Sequence, residues 1–553
     1  MKKCLAAIVL AAVVTCVLCS PSFASTISNI PSDHRIHGYI EELGRRGLFR
    51  SFFFSDRPYT RENVVEAISE VEEATESGRI TLSPYEAWLI ERLKQEFQFF
   101  IEEPYSSEVN NVEAGAELEI AGTYRHVEID RPSQMIAHED SGEGGEDGSE
   151  GQGRAILFGW AEYGIPHVSL SSRFRVDTRI EDDNGFLGRP WRGETGGYVV
   201  SGYGKFDLGP FEVLLGRDKL YWGPGKSGSL ILSDFAPPLD MVCFGLDLGR
   251  VSASGFFTTL DDRELTRSIP YEYDSLYVGT VATRHLSGHR IDVRITPSLE
   301  VGLSETVVYG GPDRELEPGY INPLNFFYAH QWNLAKNDNP IWALDATWWP
   351  VERLQVYGQL LVDDYQFERK TERDEEPSEI GFLLGLYSGD PLGLLNTSVT
   401  LEYARVNSWT YNQPYEWNRY TYGKALLGHP IGPDSDALYL SVRRWFGDRF
   451  TGQLDYRFLR HGEISVDTDW PVPLAGPWDG ASFPEGFPIG TAAKSHRLGI
   501  LARFHPMLRL DVDGFVTVEK VSDYENTEGL EMFSYEVGLR VSFKPEVRLP
   551  LSQ

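Results

Sequence analysis

From about residue 113 the chain alternates apolar and polar positions with a period of two, and it keeps that period to residue 543. The stretch FSYEVGLRVSF (533–543) is the most regular. Phe533, Tyr535, Val537, Leu539, Val541 and Phe543 are apolar, and Ser534, Glu536, Gly538, Arg540 and Ser542 between them are polar or glycine. The alternation recurs in VSLSSRFRV (168–176), IDVRI (291–295), SVTLEY (398–403), RLGILARF (497–504) and LRLDVDG (508–514). Successive side chains of a strand point to opposite faces, so each segment reads as a strand with one apolar and one polar side. The polar side carries both signs of charge, among them Arg173, Arg175, Asp177, Arg294, Glu402 and Arg540, as a wet lumen permits. The apolar side ends repeatedly in aromatics, as girdles at a membrane surface require. The alternation alone fits a soluble sandwich or propeller as well; the end of the chain, described below, decides for an all-β transmembrane barrel over residues 111–543, with about 18 antiparallel strands, since single-chain bacterial barrels take even numbers.

Before the barrel the period changes. In IHGYIEELGRRGLF, Ile36, Tyr39, Ile40, Leu43 and Leu48 follow a helical spacing, and TRENVVEAISEVEEA follows with Thr60 as its cap. SPYEAWLIERLKQEF carries a full start signal: Ser83 at the cap, Pro84 at the first helical position and Glu86 three residues after the cap. Residues 25–110 therefore read as a small helical domain. Its LGRRGLF and RPYTREN segments resemble, loosely, an S-layer homology motif, which makes cell-wall polymer a candidate partner of this domain. Residues 544–553 form a C-terminal tail.

The first residues, MKKCLAAIVLAAVVTCVLCSPSFAS, have two lysines, an apolar run and small residues Ser22 and Ala24 before a cleavage point. They read as a secretory signal peptide over residues 1–24. Cys243 is the single cysteine after it, so the mature chain has no internal disulfide or cysteine metal cluster. The formal charge of the chain is −31, which disfavours nucleic acid as a partner. Aromatics are abundant, with 27 Tyr, 30 Phe and 13 Trp.

The segment YWGPGKSGSLIL (221–232) contains Gly-Lys-Ser, the end of a phosphate-binding loop. That loop needs a glycine at position 220, which is Leu220, and a following helix, which Pro237 and Pro238 forbid. In wider context, GRDKLYWGPGKSGSLILSDFAPPLD (216–240) resembles the signature segment of the Wzi-type capsule assembly family. The matching residues are Gly216, Arg217, Trp222, Gly223, Pro224, Gly225, Ser229, Leu230, Ile231, Leu232, Ser233, Ala236 and Pro237. The resemblance implies an outer-membrane barrel with a periplasmic helical domain, acting as a lectin-like anchor for capsular or extracellular polysaccharide. The final strand resembles the signal read by the barrel assembly machinery, carried here by Glu536, Gly538, Val541 and Phe543, and such a barrel has outer-membrane lipid as its surroundings.

Candidate polysaccharide contacts follow from chemistry, because flat aromatic faces stack on sugar rings while polar groups bond hydroxyls. They are Arg217, Asp218, Tyr221, Trp222 and Asp234 in the signature, with Trp409 and Trp417 in an aromatic loop over 406–436. Packing of the loops themselves is the competing role for these rings, and bracing of the lumen is the competing role for the 221–232 turn. A second loop, 461–493, carries Trp470 and Trp478. The acidic insert HEDSGEGGEDGSEGQG (138–153) reads as a solvated loop, with calcium binding as the alternative, and it would repel an acidic polymer unless cations bridge the two. No catalytic elbow or metal-binding histidine pair is present, and the 12 histidines are scattered, so neither an enzyme, a metal nor a cofactor is expected. The alternative to an anchor is a porin-like diffusion channel.

Overall fold

The computed structural model describes residues 27–32, 34–102, 110–130, 148–165, 167–266, 269–271, 274–276, 278–364, 377–447, 449–471, 483–484, 486–507, 509–544 and 546–551. The signal peptide, Trp478 and most of the acidic insert lie outside them, although Gly148 to Gly153 of that insert belong to a strand.

The period-two segments close into a barrel of 18 antiparallel strands. In chain order the strands are Asn110–Asp130, Gly148–Ile165, Val168–Asp177, Gly196–Asp207, Phe211–Asp218, Leu239–Asp247, Val251–Thr259, Val281–Thr296, Leu299–Gly311, Asn339–Val351, Leu354–Asp364, Glu379–Gly389, Thr397–Val406, Ser435–Trp445, Phe450–His461, Ala493–Met507, Leu510–Ser522 and Glu531–Phe543. Each pairs with its neighbour in sequence, and the last closes on the first through Leu118↔Phe543 to Asp130↔Glu531. Glu546–Leu551 then continues the pairing along Asn110–Gly115.

The outer wall is apolar because alternation puts one side of every strand there. Leu118, Leu170, Phe174, Leu215, Ile291, Leu303, Leu344, Leu360, Leu384, Leu454, Ile500, Leu539 and Phe543 are all exposed, whereas Asp292, Asp345 and Glu402 on the other side are buried. No soluble fold leaves such a continuous band in water, and a lipid-facing band is what a membrane-spanning barrel needs. In the last strand Glu536 and Gly538 face inward while Val541 and Phe543 face out. Gly538 lies opposite Phe515, whose ring covers it: a Cβ there would sit 2.3 Å from that ring.

One end of the barrel has short turns, such as 296–299 and 351–354, and the other has the long connections. The helices α1 (His37–Arg45), α2 (Arg61–Glu76) and α3 (Pro84–Glu102) dock on the short-turn end. Their starts follow the sequence signals. Thr60 and Asn63 form a reciprocal cap for α2. At α3, Glu86 accepts from the Ser83 amide at 2.7 Å while Ser83 Oγ accepts from the Glu86 amide. The same Glu86 side chain takes two 2.7 Å hydrogen bonds from Arg353 in a barrel turn and one from Arg46, so the cap also fixes the domain to the barrel. Burial opposes ionisation of Glu86, but these bonds and charges bring its carboxyl down to about 2.

Candidate functional site

The long segment between the strands Phe211–Asp218 and Leu239–Asp247 turns into the lumen instead of standing above it. Tyr221–Trp222 pairs as a short ladder with Asp56–Arg57 of the helical domain, and the Gly223 amide donates to the Ser55 carbonyl at 2.8 Å. The turn needs its glycines. Gly223 has φ +142°, and a Cβ there would meet Gln359 and Ser229 inside 3 Å; a Cβ on Gly225 would meet the Gly228 carbonyl at 2.0 Å. Leu230, Ile231 and Leu232 then enter an apolar core with wall residues Leu286, Val308, Ile341, Leu361, Leu383 and Val406. Tyr411, Tyr420 and Leu427 of the 406–435 connection fill the same core from the other end, with Tyr411 Oη donating to the Leu230 carbonyl and Tyr420 Oη to the Ile231 carbonyl at 2.8 Å. The chain thus fills one side of its own lumen.

The Gly-Lys-Ser turn holds an anion, and the anion is the protein's own. The amides of Lys226 and Ser227 donate to the Glu402 carboxylate at 2.7 and 2.8 Å, Tyr357 Oη donates to it at 2.7 Å, and Ser227 Oγ completes the set. Lys226 Nζ pairs with Glu41 of α1 at 2.6 Å. Burial opposes ionisation of Glu41, yet Lys226, Arg57 and Arg45 hold its carboxyl well below the usual carboxylate range. Lys226 is therefore a tie between the plug and the helical domain, not the free solvated charge that a simple turn would carry. Arg45 of α1 reaches Gln355 at 2.9 Å and the Pro224 carbonyl at 3.2 Å, while Arg46 binds Glu42, Glu86 and Asp390. Both arginines of LGRRGLF are buried against the barrel.

The structure divides the sequence candidates. Trp222 is 1% exposed, packed edge-on against Phe256, and Tyr221 is buried under Arg57 with its hydroxyl on the Gly225 carbonyl. Trp417 stacks on Tyr415 at 4.7 Å, and Trp409 joins Trp470 and Phe483 in a three-ring cluster that ties the two long aromatic connections together. All four rings pack the protein's own loops. Arg217 and Asp218 are sequence neighbours on opposite sides of the wall. Asp218 faces the lumen and accepts from Asn29 at 2.8 Å, whereas Arg217 faces out and binds Asp240. Asp234 is exposed, and its carbonyl accepts from Lys219 Nζ at 2.7 Å.

Around Arg217 the long-loop end carries an alternating polar rim. Arg263 donates to Thr421 Oγ1 at 2.8 Å and the Gly423 carbonyl at 2.6 Å, and Asp261 accepts from the Gly423 amide at 3.0 Å. Tyr422 sits among them: burial first, then the Asp240 charge, raises its hydroxyl, and Arg217 opposes that. Asp240, Asp261 and Arg263 were not among the sequence candidates. Asp240 had a legible signal, since it lies on the polar edge of the same signature segment; Asp261 and Arg263 join only through the fold.

A plugged, membrane-spanning barrel with a docked helical domain and a polar outer rim is the class that the geometry defines. The chain belongs to the Wzi capsule assembly family, whose model, described as capsule assembly protein Wzi, matches residues 122–532. Among solved structures it is similar to Wzi of Escherichia coli, described as an outer-membrane protein involved in group 1 capsule assembly and a carbohydrate-binding β-barrel. The identity is 13%, with 95% of this chain and 100% of that chain covered and a TM-score of 0.57. The outer-membrane protein OpdK of Pseudomonas aeruginosa matches at 11% identity over 78% of this chain and 99% of its own, with a TM-score of 0.42. A comparison with curated proteins finds no match.

Proposed function

We propose that the protein is a non-enzymatic outer-membrane barrel that holds surface polysaccharide on its long-loop rim, with the helical domain in the periplasm. The observation that carries this reading is a lumen filled along one side, beside a partly exposed rim of paired charges. Leu230, Ile231, Tyr411 and Tyr420 occupy space that a diffusion channel needs open, while Arg217, Lys219, Asp234, Asp240, Asp261 and Arg263 present donors and acceptors in alternation, which suits sugar hydroxyls. Family membership and the carbohydrate-binding description of Escherichia coli Wzi support the ligand class. The short turns at the helical end support the orientation, because outer-membrane barrels put short turns in the periplasm. The inward Glu536 and Gly538 and outward Val541 and Phe543 support reading by the assembly machinery. Arg45 and Arg46 lend no support to cell-wall polymer as a partner, since neither is presented to solvent.

The test is polysaccharide retention. Loss of the protein is expected to move polymer from cells to medium without stopping its synthesis, and Arg217→Ala with Asp240→Ala is expected to do the same in a barrel that still folds. Unchanged cell-bound polymer in the rim variant, or a high ohmic conductance of the purified protein in planar bilayers, would overturn the reading in favour of a channel.

A further inference from the structure

Between the strands Leu299–Gly311 and Asn339–Val351 the connection forms two short helices, α4 (Pro318–Ile321) and α5 (Phe327–Asn333). Alternation shows which side of the wall they cover. Leu303 and Ile291 face out and are exposed, so Glu305, Val307 and Tyr309 face out as well, as do His285 and His289 on the neighbouring strand. Yet Val307 and Tyr309 are fully buried, in a cluster with Tyr320 and Phe327. The helix pair is therefore packed on the outside of the barrel.

Leu303 and Leu344, one step along the same outward face, are exposed to lipid, so bare strands would carry Glu305, His285 and His289 straight on from the belt. The helix pair prevents this: the Phe327 and Tyr328 amides donate to Glu305 at 3.0 and 2.9 Å, Trp342 Nε1 donates at 2.7 Å, and His289 Nε2 lies 3.2 Å away. On the outside of the cover stand Leu324 and Trp332, 93% and 76% exposed, with Phe326, Tyr328 and Leu334 about half exposed. The Phe326 and Tyr328 rings lie 5.2 and 5.5 Å from that of Trp342, which is two residues along the strand from lipid-facing Leu344. The apolar surface of the cover is continuous with the belt.

We infer that residues 318–334 are a lipid-anchoring collar, seated in the outer-leaflet boundary with Leu324, Phe326, Tyr328 and Trp332 in contact with lipid. The choice of leaflet rests on the orientation proposed above; the lipid contact does not. Aromatic residues with an apolar body and a polar edge favour that boundary, and the collar substitutes them for wall positions that carry ionisable groups.

The test places a spin label singly at Leu324→Cys, Tyr328→Cys and Trp332→Cys, in the chain from residue 25 onward with Cys243→Ala, in phospholipid nanodiscs. Glu528→Cys, on a long-loop tip, is the water-exposed reference. Heat-modifiable migration confirms folding, and any folded collar variant suffices. The collar labels are expected to relax with oxygen several-fold more than with a water-soluble nickel chelate, and the Glu528→Cys label the reverse. Nickel access at the collar equal to that at the reference would overturn the proposal. Exclusion of both relaxants with spin–spin broadening would overturn it in favour of a contact between two copies.

Discussion

Glu402→Gln tests whether the Gly-Lys-Ser turn is a plug latch. The wild-type carboxylate, 1% exposed, accepts four hydrogen bonds, two of them from the backbone amides of Lys226 and Ser227. A glutamine keeps the volume but replaces one acceptor oxygen by an amide that cannot accept, and it removes the charge. One donor is left facing another, and the surviving bonds are weaker. A hydrogen bond to a charged group contributes about 1.5 to 3 kcal/mol, and an unsatisfied buried donor costs about 1 to 3 kcal/mol. Since the four bonds act on one group, the sum is not additive, and a loss of about 2 to 4 kcal/mol in local stability is expected. That raises the opening equilibrium of the turn by about 30-fold to 10³-fold. Hydrogen exchange of a peptide covering 222–232 reads it directly. Tyr357→Phe, which removes one donor and leaves the carboxylate with three, should lose about 1.5 kcal/mol, the low end of that range, or about 13-fold. Protection in Glu402→Gln within about 2-fold of wild type would refute the latch.

Two further perturbations test the docking and the closure. Glu86, with a folded-state value near 2 against an ordinary 4.5, stabilises docking of the helical domain fully above about pH 4.5 and progressively less as pH falls toward 2. Proteolysis of the helical domain in intact barrel should rise over that window by an amount equivalent to at most about 3 kcal/mol, and Glu86→Gln should flatten the dependence. At the other end of the chain, Phe543→Lys puts a charge on the lipid face of the closing strand, at a cost of up to about 4 kcal/mol at the midplane and less near the interface; the heat-modifiable folded fraction should fall, and full retention would count against that strand's role in assembly.

The barrel was legible because a period of two, repeated along the chain, has one consequence: two faces of opposite polarity. Phe533, Val537 and Leu539 are exposed to the surroundings and Ser534 and Glu536 face in, as the letters require. Helix starts were legible for the same reason, since Ser83-Pro84 and Glu86 satisfy local geometry. The site was less legible because it depends on where connections go. Nothing local in YWGPGKSGSLIL says that the segment dives into the lumen, because its partners, Asp56, Arg45, Gln359 and Glu402, come from distant parts of the chain. Trp222, Trp409 and Trp417 have the composition of a sugar platform and the burial of a core. The helices over 318–334 interrupt an otherwise strand-like series, and only the burial of outward-facing Val307 and Tyr309 under Tyr320 and Phe327 shows that they lie outside the wall.

Residues 216–240 serve three places at once, and the wall decides which residue serves which. Arg217 and Asp240 point out to the rim, Asp218 turns in to Asn29, and Trp222 to Leu232 form the plug. The two classes of position must then fail differently. At Arg217 or Asp240 the ion pair is partly exposed, so losing it costs little stability, about 0 to 1 kcal/mol, and a fall in retention there reports ligand contact. At Trp222 the lost volume leaves a cavity, at about 3 to 5 kcal/mol, so a fall in retention there accompanies a looser plug. A motif that acted as one binding surface would give the same signature at both. Separating retention from hydrogen exchange across these positions therefore distinguishes a rim that binds from a plug that supports it, even though both are written in one uninterrupted stretch of sequence.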